Sequence, residues 1–267
     1  MAIPPGTSGS ANVQSEWWGA RARDWAEVQE STVLSLYEAV IDRSEIGHGT
    51  AVLDVGCGTG LFCRLAAARG ARISGLDATP ALIAIARERV PAADFHIGEM
   101  EELPFRDGSF KLITGFNSFQ YAANPTHALR EARRVAREGA QVVVAAWGKP
   151  QDCEITALLA ALHPFLPPPP PGAPGPFALS EDGALEALAA QAGLDPLQLA
   201  EVETVWDYAD EATALRGNLS SGPFVRAINR SGEERVSEAI RLALVPFRST
   251  DGHVRLHNKF RYLIARR

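Results

Sequence analysis

The chain has 267 residues, 46% hydrophobic and 22% charged, with 26 basic against 32 acidic side chains and a formal net charge of -6. That size suits one large α/β domain or a domain with inserted lids, and the composition excludes wholesale disorder. No apolar run approaches the roughly 18 residues of a membrane span, and MAIPPGTSGS lacks the basic and apolar parts of a secretory signal, so a cytoplasmic protein with a frayed leading tail and no membrane partner is expected.

Cys57, Cys63 and Cys153 form no CxxC pair, so the expectation is three reduced thiols, with no disulfide framework and no metal site. The charge is unevenly spread. Residues 216–267 hold 11 Lys and Arg against 4 Asp and Glu, an excess of +7 that leaves -13 upstream. Mixed charge on a solvated surface is one reading and an anionic partner is the other.

Residues 15–44 (SEWWGARARDWAEVQESTVLSLYEAVIDRS) read as a Trp-rich helical segment. From Thr50 to Gly148 short apolar runs alternate with amphipathic stretches. AVLDV (51–55), ARISGL (71–76), DFHI (94–97), FKLITGF (110–116) and AQVVVAAW (140–147) fit buried strands. Thr79 and Pro80 predict the cap and first position of the helix ALIAIARER, and Asn124 and Pro125 do the same for THALREARRVARE. In the second helix Leu129, Ala132, Val135 and Ala136 share one face.

Residues 152–163 have helical spacing, and LPPPPPGAPGP (166–176) predicts a stiff extended connector, because proline has no amide donor and a fixed φ. Ser180 is expected to cap EDGALEALAAQA, closed by Gly193, ahead of a strand at LAEVETVWDYA (199–209). Residues 210–250 return to helical spacing. VRLHNKFRYLIA (254–265) alternates, with Leu256, Phe260, Tyr262 and Ile264 opposite Arg255, His257, Lys259 and Arg261. Strand and helix in alternation predict a parallel sheet wound with helices on both faces.

The main chemical signal is VLDVGCGTG (52–60), a strand running into a loop with glycines at 56, 58 and 60. Such a loop lets the backbone approach a ligand and aims helix amides at its polar atoms. A dinucleotide fingerprint would need glycine where Leu61 stands, and a phosphate loop would need Gly-Lys-Ser/Thr. A different nucleoside-type ligand fits the G-x-G-x-G spacing.

With Asp54 before it, this loop resembles motif I of class I S-adenosylmethionine (SAM)-dependent methyltransferases. ARISGLD, HIGEMEELPF and the stretch from Phe110 to Trp147 resemble the strands and loops that follow in the branch of ubiquinone-biosynthesis-type and natural-product methyltransferases. VRLHNKFRYLIARR resembles that branch's last strand. The resemblance implies a Rossmann-like, doubly wound, mostly parallel seven-stranded sheet with an antiparallel last strand and helical lids. Its segments would be 1–46 (tail and helical lid), 47–150 (SAM-binding core), 151–177 (Pro-rich lid), 178–209 (core helix and strand), 210–252 (helical lid) and 253–267 (last strand). It also implies that Gly56, Gly58 and Gly60 lie against the methionine and ribose parts of SAM, that Asp54 orients the loop, and that Asp77 accepts from the ribose hydroxyls. Glu99 and Met100 would flank adenine and Asn117 the methionine end, with S-adenosylhomocysteine (SAH) as product.

The expected activity is methyl transfer to a small-molecule acceptor, with a SAM- or SAH-binding protein lacking transfer as the alternative. Gln120 and Tyr121, after the fourth strand, are expected beside the acceptor, as are His163, Arg255 and His257. His48, His96 and His127 read as structural, and no catalytic base is assigned. The basic end, through Arg255, predicts an acidic or phosphorylated acceptor. Trp17, Trp18 and Trp25 fit either core packing or a hydrophobic lid. An acidic total without a basic, aromatic-laced stripe argues against a nucleic-acid partner. Monomer and homodimer stay open.

Overall fold

The computed structural model describes residues 10–166 and 175–267, so the leading tail and most of the expected proline connector lie outside the described residues. Seven strands form one sheet: β1 (Ala51–Val55), β2 (Arg72–Asp77), β3 (Asp94–Ile97), β4 (Phe110–Phe116), β5 (Ala136–Trp147), β6 (Asp195–Tyr208) and β7 (Val254–Arg266). Their order is β3-β2-β1-β4-β5-β7-β6. The first five are parallel, and β7 enters antiparallel between β5 and β6.

The helices of the first half are α1 (Ala11–Gly19), α2 (Ala22–Asp24), α3 (Leu34–Arg43), α4 (Leu61–Ala68), α5 (Pro80–Arg89) and α6 (Pro125–Val135). Those of the second are α7 (Ile155–Ala161), α8 (Ala184–Gln191), α9 (Glu211–Asn218), α10 (Gly222–Ser231) and α11 (Glu233–Leu244). None of the described helices is long and apolar enough to cross a membrane.

Side chains alternating along β5 build two cores. Val142, Val144 and Ala146 join Leu129 and Ala132 of α6 and Leu185 and Leu188 of α8 on one face. Val143 and Ala145 join Ala66 of α4, Ile83 of α5 and Leu36 of α3 on the other. Burial on both faces is why the central strands are continuous apolar runs.

Local signals fare unevenly. The Asn124 side chain accepts a hydrogen bond from the His127 amide at 3.0 Å, as expected of a cap. Thr79 provides no side-chain cap, and α5 starts on Pro80 alone. Ser180 is not a cap either: its hydroxyl donates to the Phe177 carbonyl at 2.7 Å, and α8 begins after Gly183 in left-handed conformation. Helix α6 stops at Val135 because Ala136 turns extended and pairs with Phe110. The expected alternation of β7 holds through Lys259, but residues 260–265 are all buried. There both faces are covered, and Arg261 is accommodated by donating to the Ser180 carbonyl at 2.7 Å and pairing with Asp182 and Glu201.

Removing the α6 cap with Asn124→Ala should lower the free energy of unfolding by about 1 kcal/mol, measured by urea denaturation.

Candidate functional site

The carboxyl ends of four parallel strands open into one cleft of about 950 Å³ including its open mouth. Gly56–Gly58 follow β1, Asp77–Thr79 close β2, Gly98–Met100 follow β3, and Phe116–Ser118 end β4. The strand order reverses between β1 and β4, where open α/β sheets hold their ligands. Trp18, Trp25, Glu30, Leu36 and Tyr37 complete the wall from the N-terminal helical segment.

Two glycines set the loop. Gly56 has φ +76°, and a Cβ there would lie 2.4 Å from the Ser118 Cβ, so the β1 and β4 loops meet at backbone distance. Gly60, at φ +77°, starts α4, and a Cβ would come within 3.0 Å of Ala86 on α5. Gly60 therefore packs the loop onto a helix and is not on the cleft wall.

Asp77 is clamped from two sides. Its carboxylate accepts from the Gly58 amide and from the Thr79 amide, each at 2.9 Å. Burial pushes its carboxyl above the ordinary range, and those amide bonds work in the other direction. Each oxygen retains a further lone pair, and the residue lines the cleft, so a diol donating two hydroxyls fits this group.

Asp54 lies beneath the loop and off the wall. It accepts from the Thr114 hydroxyl at 2.8 Å and from the Cys63 thiol at 3.8 Å. Burial pushes its carboxyl up to about 7, against the Thr114 bond and with the nearby Asp77 charge adding to the rise. Glu99 and Met100 line the cleft together. One Glu99 oxygen also accepts the first amide of α1, from Ala11, at 2.8 Å, which ties the N-terminal helix to the β3 loop.

Asn117 is the one non-glycine with positive φ among the described residues, at +49°, held by its amide donating to Ala145 at 2.9 Å. Its side-chain oxygen accepts from Gln120, which is buried behind it and lines neither cavity. Glu30 escaped sequence reasoning. It is buried, accepts from the Thr59 hydroxyl at 2.5 Å and pairs with Arg89, whose second nitrogen donates to the Ala26 carbonyl. No local pattern marks a pairing that spans 59 positions.

A second cavity, of about 1910 Å³ including its open mouth, adjoins the first. Gln14, Trp18 and Tyr121 line both, so they form the partition between them. Burial raises the Tyr121 hydroxyl to about 12. Trp17, Leu159, His163, Phe177 and Arg226 line the outer chamber. The tryptophans thus serve as roof and packing at once: Trp18 meets Trp25 edge to face at 5.0 Å.

Arg255 and His257 are not in this arrangement. The antiparallel β7 does carry its start past the carboxyl end of β5, but neither residue lines either cavity. Arg255 is occupied by Asp207 at 3.1 Å and Asp251 at 2.8 Å, which neutralise it, and His257 is exposed. An acidic acceptor therefore has no support from these two residues.

The fold is the α/β arrangement of the methyltransferase type, and comparison with known proteins agrees. Residues 53–144 match the methyltransferase domain family. The chain is 36% identical over 106 residues to a malonyl-[acyl-carrier protein] O-methyltransferase of Erwinia pyrifoliae, covering 40% of each chain. Among solved structures, the YcgJ protein of Bacillus subtilis aligns over 86% of this chain and 97% of its own, with TM-score 0.57 and 19% identity. A SAM-dependent methyltransferase from Aquifex aeolicus aligns over 68% of this chain and 92% of its own, with TM-score 0.52 and 18% identity. Residues 53–144 thus carry a methyltransferase-type domain, and the sheet has the fold of these solved structures. Its aligned stretch spans 37% to 56% of the length of the first curated relatives it matches.

The raised Asp54 carboxyl makes stability depend on pH. The folded chain keeps a proton that the unfolded chain loses, so stability falls as pH rises from the ordinary value of 3.8 to about 7, then levels. Asp54→Asn should stabilise the ligand-free protein by roughly 1–3 kcal/mol at about pH 8 and hardly at all at about pH 4, measured by urea unfolding at both.

Proposed function

We propose that the chain transfers the methyl group of SAM to a small-molecule acceptor seated in the second cavity. The observation that carries this reading is the partition: a cleft with a glycine loop and a clamped acid shares Gln14, Trp18 and Tyr121 with a larger, mostly apolar chamber. Two ligands that react with each other need such adjacent seats.

Bound SAM supplies an electrophilic methyl on a sulfonium. In this reading Asp77 accepts from the ribose hydroxyls with the lone pairs its amide bonds leave free. The backbone at Gly56 and Gly58 lies against the ribose and methionine parts, and Asn117 against the methionine end. Glu99 and Met100 flank the adenine. Asp54 acts from below, fixing the loop through Thr114 and Cys63. Trp18 and Trp25 exclude water from above, and the partition aligns the acceptor's nucleophile. His163 lines the acceptor chamber and would take the proton of an acceptor that must lose one.

Calorimetry with SAM, SAH and NAD tests the cofactor half. Micromolar affinity for SAM and SAH without NAD binding is expected, and the reverse would overturn it. Asp77→Ala should weaken SAH binding by about 1–3 kcal/mol, since the hydroxyls lose their partner; unchanged affinity would remove Asp77 from the site. Transfer of labelled methyl from SAM to an acceptor extract tests the reaction itself.

A further inference from the structure

Arg226 lies on the first half of α10, half-buried, with its guanidinium stacked over the Trp17 ring at 5.1 Å from the centroid. Among the described residues no carboxylate lies within 4.0 Å of it and no guanidinium nitrogen has a hydrogen-bond acceptor, and the segments outside them contain no Asp or Glu. Several other arginines of the basic C-terminal region are paired instead. Arg241 pairs with Glu211 and Glu238, Arg248 with Glu211, and Arg255 with Asp207 and Asp251.

Among the described residues, the wall of the chamber that Arg226 faces contains no acidic side chain. The adjoining cleft is the opposite, with Glu30, Asp77 and Glu99. A guanidinium half withdrawn from water, without a counter-charge, is held at a cost that an anionic ligand would offset. The Trp17 ring takes one side of the guanidinium, and its N–H groups, without acceptors among the described residues, suit the two parallel hydrogen bonds that a carboxylate accepts. A single permanent cation balances a monoanion, whereas a phosphate dianion would leave charge uncompensated. The rest of the chamber, with Trp17, Leu159, Leu162 and Phe177, suits an apolar framework.

We infer that the second cavity selects an aromatic or otherwise apolar acceptor bearing one carboxylate, which Arg226 holds. This rests on the reading of that cavity as the acceptor seat.

The test uses the full chain saturated with SAH, so that the cofactor cleft is filled. Binding of 1-naphthoate, 1-naphthamide and 1-naphthyl phosphate is followed by displacement of the fluorescent probe N-phenyl-1-naphthylamine. The acid should bind at least ~10-fold more tightly than the amide, and Arg226→Gln should abolish that preference while leaving amide and SAH affinity unchanged. Arg226→Lys should restore part of it. Equal affinity for acid and amide in the native chain, a preference that survives Arg226→Gln, or tightest binding of the phosphate would each overturn the inference. Failure to bind SAH at all would instead strike the cofactor reading, so the two failures are distinct.

Discussion

Two hydrogen bonds to one half-buried carboxylate hold the binding end of the sheet together. Asp77 ends β2, and the amides it accepts belong to the β1 loop at Gly58 and to the entry of α5 at Thr79. Fixing these two fixes their neighbours. The loop is pressed against β4 at Gly56 and against α5 at Gly60, where side chains would collide, so it has little freedom once Asp77 holds it. Withdrawing that carboxylate from water is costly, and the two amides offset part of the cost. The residue suited to meeting a ligand is thus the one that shapes the cleft.

The sheet was largely legible because parallel strands buried on both faces leave continuous apolar runs, such as AQVVVAAW at β5. Asn124 was legible because its capping partner lies three residues away. Ser180 misled because a hydroxyl near a helix start has several carbonyls in reach, and Phe177 is the one it takes. Glu30 and Arg89 were hidden by their separation, since nothing in either local pattern announces a distant counter-charge. Arg255 was placed at the correct end of the sheet by strand direction alone, but its side chain is committed to Asp207 and Asp251. Arg226 was unremarkable among eleven basic residues, because what distinguishes it is its place on the outer chamber's wall over Trp17, which only the tertiary fold creates.

The family match ends at residue 144, and Tyr121 is the outer-chamber residue it contains. The remainder of that wall comes from α1, α7 and the residues after it up to Leu166, the 175–177 turn and α10. The matched domain therefore supplies most of the inner cleft, and most of the outer-chamber wall lies outside it. Charge follows the same division, with acids around the inner cleft and a cation in the outer chamber.

Gln14, Trp18 and Tyr121 belong to two walls at once, and Trp18 and Tyr121 rest ring against ring at 6.3 Å. A ligand that repositions this shared surface from one side reshapes the room available on the other. Any free energy spent or gained there enters both binding equilibria, and by thermodynamic reciprocity each occupant changes the affinity of the other by the same factor. The helix bearing Gln14 and Trp18 is itself tethered through Ala11 to Glu99 on the inner wall, so the coupling has a direct mechanical route.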